Sequence, residues 1–148
     1  MRLMGVDFGT RRVGLSVGET DPFFVEPLKT VQAADPAEAA RRVAAEAESE
    51  GAEGLVVGLP TSLHGTADGS TAKLVSEFVR LVSGLVSVPV WTEDERFSTV
   101  MADRMHREYG TTSSRKFDRD ALAAAIILET YIERLRSGRA DMSGSAQG

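Results

Sequence analysis

Three acidic residues that are far apart in the chain could together hold a divalent metal ion. Asp7 ends an apolar segment, Glu95 closely follows another, and Asp120 opens a long amphipathic stretch. A carboxylate buried at the end of a strand is costly unless it is hydrogen-bonded, paired with a cation or bound to a metal. Three carboxylates brought together by folding would repel one another until protons or cations neutralised them. Two Mg²⁺ or Mn²⁺ ions at such a cluster could clamp a phosphodiester, activate water and stabilise the leaving oxygen.

The segment Asp7-Phe8-Gly9-Thr10 also has a simpler interpretation, because an acidic residue followed by glycine is common in the turn of a β-hairpin. The alternative is a ligand-binding turn. Gly9 removes a side chain where the backbone turns and Thr10 adds a hydroxyl, so a phosphate or a hydrated metal could approach the chain closely. These four residues alone leave both interpretations open.

Composition restricts the kinds of site that the chain can build. Its 148 residues are 42% hydrophobic, which is enough for one core, and we predict one domain over residues 1–137. Residues 138–148 are rich in glycine and serine and are predicted to be a disordered tail. The absence of cysteine excludes disulfides and thiolate zinc sites, and two histidines, His64 and His106, are too few for an imidazole-rich site. Carboxylate ligands favour one or two Mg²⁺ or Mn²⁺ ions.

Charge and hydropathy bear on location and partners. No apolar run approaches the length of a membrane span, and the first residues lack the pattern of a secretory signal, so we expect a cytoplasmic protein without a membrane partner. The net charge of −5 argues against nonspecific coating of nucleic acid. Residues 96–119, however, carry six basic side chains against three acidic ones. This region is either a solvated helix face or a patch that contacts phosphates.

Alternating and helical hydrophobic patterns predict an α/β chain in the order β-β-β-α-β-α-β-α-α. The predicted strands cover residues 2–8, 13–18, about 25–31, 54–58 and 88–91. The predicted helices cover residues 36–49, 70–85, 98–109 and 118–136, with loops at 59–66 and 110–114. The short connections of the first three strands indicate an antiparallel meander, whereas helical crossovers make the later strands parallel to the first.

These connections predict a five-stranded mixed sheet in the order 3-2-1-4-5, flanked by helices. The carboxyl ends of strands 1, 4 and 5 then share one edge, where ligands of open α/β sheets usually bind. Asp7, the segment 58–60 and Glu95 converge there, and Asp120 joins them if the last helix packs near strand 1. Within this predicted cluster no lysine balances the three carboxylates.

Four motifs in order resemble the YqgF/RuvX family, whose members are described as pre-16S rRNA nucleases or Holliday junction resolvases with a ribonuclease H-like fold. The resemblance covers about residues 1–135. It rests on Asp7-Phe8-Gly9-Thr10, on Val57-Gly58-Leu59-Pro60 with Gly65-Thr66, on Asp94-Glu95-Arg96 with Ser98-Thr99, and on Asp120 before Ala124-Ala125-Ile126-Ile127-Leu128. Where family members often carry Asn or Asp before the loop glycine, this chain has His64.

The resemblance implies that Asp7, Glu95 and Asp120 are the catalytic metal ligands. Asp94 is the alternative to Glu95 as a ligand, and Asp118 is the alternative to Asp120. Counting back from the apolar segment 126–128 favours Asp120, and Glu95 better matches the acidic residue that precedes the family's arginine.

Basic and hydroxyl side chains near these carboxylates are the candidates for binding substrate. They are Thr10, Arg11, Arg96, Arg115, Lys116 and Arg119. Each has a structural alternative: a turn role for Thr10, a salt bridge to Glu95 for Arg96, and solvation for the basic loop residues. Trp91 is predicted to lie in the core and not to stack on a base, and the two histidines are predicted to lie at the surface.

The leading functional hypothesis is a metal-dependent nuclease that processes the 5′ end of pre-16S rRNA. Resolution of four-way DNA junctions is the alternative, and because it requires two active sites it requires a dimer. The chain could therefore be a monomer or a homodimer. A noncatalytic nucleic-acid or ribosome-associated binder is a hypothesis of another class. An ATP-binding lobe like those of actin-like kinases also begins with Asp-x-Gly-Thr, but such proteins need two lobes and this chain has the length of one.

Overall fold

The computed structural model describes residues 1–59, 70–94 and 119–138. The strands are β1 (Arg2–Phe8), β2 (Arg12–Thr20), β3 (Phe23–Gln32), β4 (Gly54–Leu59) and β5 (Val90–Asp94). The helices are α1 (Pro36–Glu50), α2 (Ser70–Leu85) and α3 (Arg119–Arg136). The predicted helix 98–109, the loop 110–114, residues 60–66 of the predicted loop and residues 139–148 of the predicted tail lie outside the described residues. No helix in the described ranges is long and apolar enough to cross a membrane.

The five strands form one sheet in the order β3-β2-β1-β4-β5, as predicted. β1, β2 and β3 are antiparallel neighbours, whereas β1, β4 and β5 are parallel. Short turns reverse the chain between the first three strands, while α1 and α2 carry it back to the same end of the sheet before β4 and β5. The carboxyl ends of β1, β4 and β5 therefore share one edge.

Both faces of the sheet are covered, which explains why its central strands have few polar residues. Met4, Val6 and Phe8 of β1 point to the core that includes residues of α1 and α2. Leu3 points to the opposite face, into a second core that contains Ile127 of α3. Alternation along β1 therefore assigns odd-numbered residues, including Asp7, to the α3 face.

The boundaries predicted for the helices over 36–49, 70–85 and 118–136 agree with α1, α2 and α3 to within one residue at each end. Asp35 caps α1 by accepting a hydrogen bond from the Glu38 amide at 2.8 Å, and Gly51 ends the helix with a φ of 69°. The helical repeat of apolar residues in α2 predicts that both Phe78 and Leu85 are buried; Phe78 is buried, but Leu85 is 54% exposed. Leu85 is the last residue of α2, so no further turn of this helix follows it to cover its side chain.

The position of β5 differs from the prediction, which began the strand at Val88 and placed Glu93 and Asp94 after it. The observed strand begins at Val90 and extends to Asp94. Pro89 has no amide proton to donate, although its carbonyl already accepts a hydrogen bond from the Leu55 amide at 3.0 Å. At the other end, pairing with β4 continues through both acidic residues. Glu93 is consequently 4% exposed, in the core and not in a loop.

Small residues allow α3 to approach the sheet closely. A Cβ atom on Gly5 would lie 2.6 Å from the Ala124 carbonyl oxygen, and one on Gly18 would lie 3.2 Å from Leu128. Ser16, on the same face, donates a hydrogen bond from its hydroxyl to the Ala124 carbonyl at 2.7 Å. The backbone of α3 therefore rests on strand positions that have little or no side chain.

The other end of α3 is fixed to β5 by a ring contact and an ion pair. Trp91 and Tyr131 stack with their ring centroids 5.8 Å apart. Nη1 of Arg134 donates to both carboxylate oxygens of Glu93, at 2.7 Å and 2.5 Å. A buried carboxylate that keeps its charge needs such a partner, so this pair, together with the ring contact, holds this end of α3 against β5.

Arg134→Ala should lower the free energy of unfolding by about 2–3 kcal/mol, because it removes the cation that contacts the buried Glu93 carboxylate. Urea unfolding at pH 7 measures the change. Arg136→Ala is the matched control. The Arg136 guanidinium lies over the Phe23 ring, 4.9 Å from its centroid, and its removal should cost less than about 1 kcal/mol. Equal effects of the two substitutions would contradict the assigned importance of the ion pair.

Candidate active site

Asp7 lies at the carboxyl end of β1, one residue before the strand ends. It is half-buried, and its register partner on β2 is Gly14. Residues that are directly opposed in an antiparallel pair point to the same face. The carboxylate of Asp7 and the position where Gly14 lacks a side chain therefore both face α3.

Gly14 brings the first turn of α3 to this position. A Cβ atom on Gly14 would lie 1.9 Å from the carbonyl oxygen of Asp120 and 2.9 Å from the amide nitrogen of Ala121. Those are backbone atoms, so no rotation of a side chain could make room. Contact between the helix backbone and Gly14 places Asp120 beside the strand pair that carries Asp7. The condition set by the sequence, that the last helix must pack near strand 1, is met.

Asp120 also has a cationic partner that sequence reasoning missed. Nε of Arg12 lies 3.2 Å from Oδ2 of Asp120. The sequence predicted carboxylates with no balancing lysine, and in the described residues an arginine from the start of β2 takes the balancing role at Asp120. The available signal was spacing: Arg12 precedes Gly14 by two positions, and alternation along a strand gives both residues the same face.

A cleft of about 890 Å³ opens next to Asp120. Two of the predicted substrate-binding residues, Thr10 and Arg11, lie exposed along it. The turn that carries them is tight, because a Cβ atom on Gly9 would lie 2.5 Å from the carbonyl oxygen of Arg12. Gly9 is therefore required by the close approach of two backbone segments. Arginine side chains contribute three of the residues around the cleft: Arg11, Arg12 and Arg42.

The other predicted site residues fall in different places. Arg119 is the first residue of α3 and is exposed next to Asp120. Trp91 is 4% exposed, which confirms its predicted place in the core. Asp94 is the last residue of β5. Glu95, Arg96, Asp118, His64, His106, Arg115 and Lys116 lie outside the described residues.

The donor chemistry at this edge fits Mg²⁺ or Mn²⁺. Asp7 and Asp120 supply carboxylate oxygens, the ligand type that these ions prefer, and the contact of the α3 backbone with Gly14 brings these two residues to the same edge. Over the described ranges 1–59, 70–94 and 119–138, no group of three or more His, Cys, Asp or Glu side chains could hold a metal. The third predicted ligand, Glu95, is outside those ranges.

The order of the strands, the parallel crossovers and the helix packed on the face of Asp7 define a ribonuclease H-like fold. Solved structures share this architecture. The Thermus thermophilus RuvC structure matches with a TM-score of 0.66 and 18% sequence identity, over 95% of this chain and 99% of that one. The fowlpox virus Holliday junction resolvase matches with a TM-score of 0.54 and 11% identity, over 90% of this chain and 99% of that one.

Sequence comparison identifies the family. The family model described as "RuvX: Holliday junction resolvase" matches residues 1–134. A Chloroflexus aurantiacus protein named "Putative pre-16S rRNA nuclease" is 33% identical over 136 residues, which are 91% of this chain and 88% of that protein. A Lactiplantibacillus plantarum protein of the same name is 35% identical over 138 residues, or 90% of this chain and 95% of that protein. The chain belongs to the RuvX family.

Proposed function

We propose that this protein is a nuclease that hydrolyses phosphodiester bonds with Mg²⁺ or Mn²⁺ held by Asp7, Glu95 and Asp120. The observation that carries the proposal is the contact of the Asp120 backbone with Gly14, the register partner of Asp7. If the carboxylates of Asp7 and Asp120 must bind the same metal ion, a glycine at position 14 is needed. A larger residue would hold the first turn of α3 away from β1.

Glu95 is included on sequence spacing. It follows Glu93 by two positions, which is the repeat of a strand, and Glu93 points to the α3 face. Glu95 directly precedes Arg96 and so matches the family's acidic residue better than Asp94 does, which supports Glu95 as the third ligand.

A metal held by Asp7, Glu95 and Asp120 would supply Lewis-acid chemistry at the scissile phosphate and at the attacking water. The side chains of this chain would bind and orient the nucleic acid. Thr10 and Arg11 lie along the cleft beside Asp120, where a hydroxyl and a guanidinium can donate hydrogen bonds to backbone phosphates. Arg96, Arg115, Lys116 and Arg119 would extend this contact along the substrate.

The proposed substrate is the 5′ leader of pre-16S rRNA. The names of the curated relatives support this assignment, and those relatives match about nine-tenths of the chain. Processing of ribosomal RNA would place the protein in the cytoplasm. A nuclease that cuts a single strand at one site can act as a monomer.

A four-way DNA junction is the second candidate substrate, and the description of the matching family model favours it. Cutting opposite strands of a junction requires two active sites, so this activity would require a homodimer. Oligomeric state therefore helps to distinguish the two candidates.

The test compares two substrates under one set of conditions. Purified protein with Mg²⁺ or Mn²⁺ should cut a synthetic pre-16S rRNA leader at its 5′ processing site, and EDTA should abolish the cut. A four-way DNA junction of matched length is the comparison substrate, and sedimentation gives the oligomeric state. Cleavage of the junction alone by a dimer would favour the second candidate. Tight binding of either substrate without cleavage under any metal would overturn the proposal in favour of a noncatalytic binder.

A further inference from the structure

The ion pair between Arg12 and Asp120 occupies an oxygen that the proposed metal would need. Nε of Arg12 is 3.2 Å from Oδ2 of Asp120. The proposed ligand thus already has a cationic side chain in contact with it. This inference rests on the proposed function, because it concerns the same carboxylate.

The ion pair between Arg12 and Asp120 can break at little cost in free energy. The Arg12 side chain is 65% exposed, whereas that of Asp120 is 23% exposed. Exposed ion pairs contribute little to stability because water solvates the separated charges nearly as well. Arg12 begins β2 at the turn, so its side chain can swing away without disturbing the strand pairing that positions Gly14.

A metal bound at Asp120 would also repel this guanidinium. Two cations that share one carboxylate raise each other's free energy by Coulomb repulsion, and the effect is only partly screened by water at distances of a few ångströms. The cleft that Arg12 and Asp120 line is also lined by Arg11 and Arg42. A phosphate group of bound nucleic acid is the anion that would best accept the displaced guanidinium there.

We propose that Arg12 competes with the divalent metal for Asp120, so that the protein without nucleic acid binds its metal weakly. When a phosphate enters the cleft it gives Arg12 another partner and releases the carboxylate. Arg12 is thus a positioning residue that ties metal binding to the presence of substrate.

Direct binding of Mn²⁺ in the absence of nucleic acid tests this without measuring cleavage. Isothermal titration calorimetry or the loss of the free Mn²⁺ EPR signal gives the dissociation constant for the full chain. Arg12→Gln should bind Mn²⁺ about five-fold more tightly than wild type, a change of the size expected for a solvent-exposed charge. In roughly 0.5 M NaCl the ratio of the wild-type dissociation constant to that of Arg12→Gln should fall towards one, since salt screens the repulsion.

Arg42→Gln is the matched control. It removes the same charge from the same cleft, but Arg42 lies 3.8 Å from Glu38 and not beside Asp120. Its Mn²⁺ affinity should stay within about two-fold of wild type. Equal affinities of Arg12→Gln and wild type, or equal gains in both arginine variants, would overturn the competition.

Asp120→Asn separates failure of this inference from failure of the proposed function. If Asp120 is a ligand, this variant should lose at least about ten-fold in Mn²⁺ affinity, whatever Arg12 does. If Asp120→Asn loses Mn²⁺ binding while Arg12→Gln binds Mn²⁺ with wild-type affinity, the competition is overturned and the proposed metal site stands. Unchanged binding in Asp120→Asn would overturn both the competition and the proposed metal site.

Discussion

Asp7→Asn should abolish cleavage of the preferred substrate, with a loss on the order of 100-fold or more. Asparagine keeps the size of the side chain but removes the negative charge, so the proposed metal would lose one ligand. A metal ligand of this kind supplies several kcal/mol of transition-state stabilisation. A loss of roughly 1.4 kcal/mol lowers the rate ten-fold. Initial rates at saturating Mg²⁺ or Mn²⁺, measured on the leader RNA and on the junction, give the effect.

The fold should survive this substitution, because Asp7 is half-buried and asparagine is nearly isosteric with aspartate. The free energy of unfolding should change by less than about 1 kcal/mol. Asp21→Asn is the matched control, since Asp21 is an exposed residue of the turn between β2 and β3. It should leave the rate unchanged. Wild-type rates in Asp7→Asn would remove Asp7 from the site and return it to the role of a hairpin residue.

Gly14→Ala should have the largest effect on both structure and activity. The added methyl would lie 1.9 Å from the carbonyl oxygen of Asp120. Only a shift of the helix backbone or of the strand can relieve that clash. We expect a loss of at least about 2 kcal/mol in the free energy of unfolding. We also expect loss of cleavage, because Asp120 would move away from Asp7. Urea unfolding and the cleavage assay measure the two effects.

Gly84→Ala is a control that should raise the free energy of unfolding, whereas Gly14→Ala should lower it. Gly84 lies in α2, and a Cβ atom added there would meet no atom within 4 Å. Alanine is the better helix former, so this variant should gain about 0.5–1 kcal/mol and keep full activity. If Gly14→Ala were as stable and as active as Gly84→Ala, the close approach of α3 would not be what positions Asp120.

Much of the fold could be predicted because it follows from local patterns and short connections. The apolar segment that ends at Asp7 marked β1, and the helical repeat marked α2 with both of its ends correct. Turns too short for a crossover required antiparallel neighbours, and the helical connections required parallel ones. The order of the sheet followed from those rules.

Predictions failed where a residue's environment is set by segments distant in sequence. The predicted strand over residues 88–91 left Glu93 after its end. Glu93 lies in the core because Arg134 neutralises it from a helix that follows much later in the chain. Arg12 was assigned to a turn. Its spacing from Gly14 could indicate the face on which it lies, but not that its partner would be Asp120, which follows much later in the chain.

The sequence by itself determined the class of chemistry. Cysteine is absent, histidines are few, and the acidic residues follow apolar segments, so a metal would have to bind oxygen ligands at one edge of a sheet. The tertiary structure decided how the edge is assembled. The backbone of α3 rests on Gly14 opposite Asp7, and Arg12 lies against Asp120. The physical reason is the distance along the chain over which each kind of interaction acts. Periodicity and turn chemistry act over a few residues, whereas contact between a helix and a strand depends on the shape of both surfaces after the chain has folded.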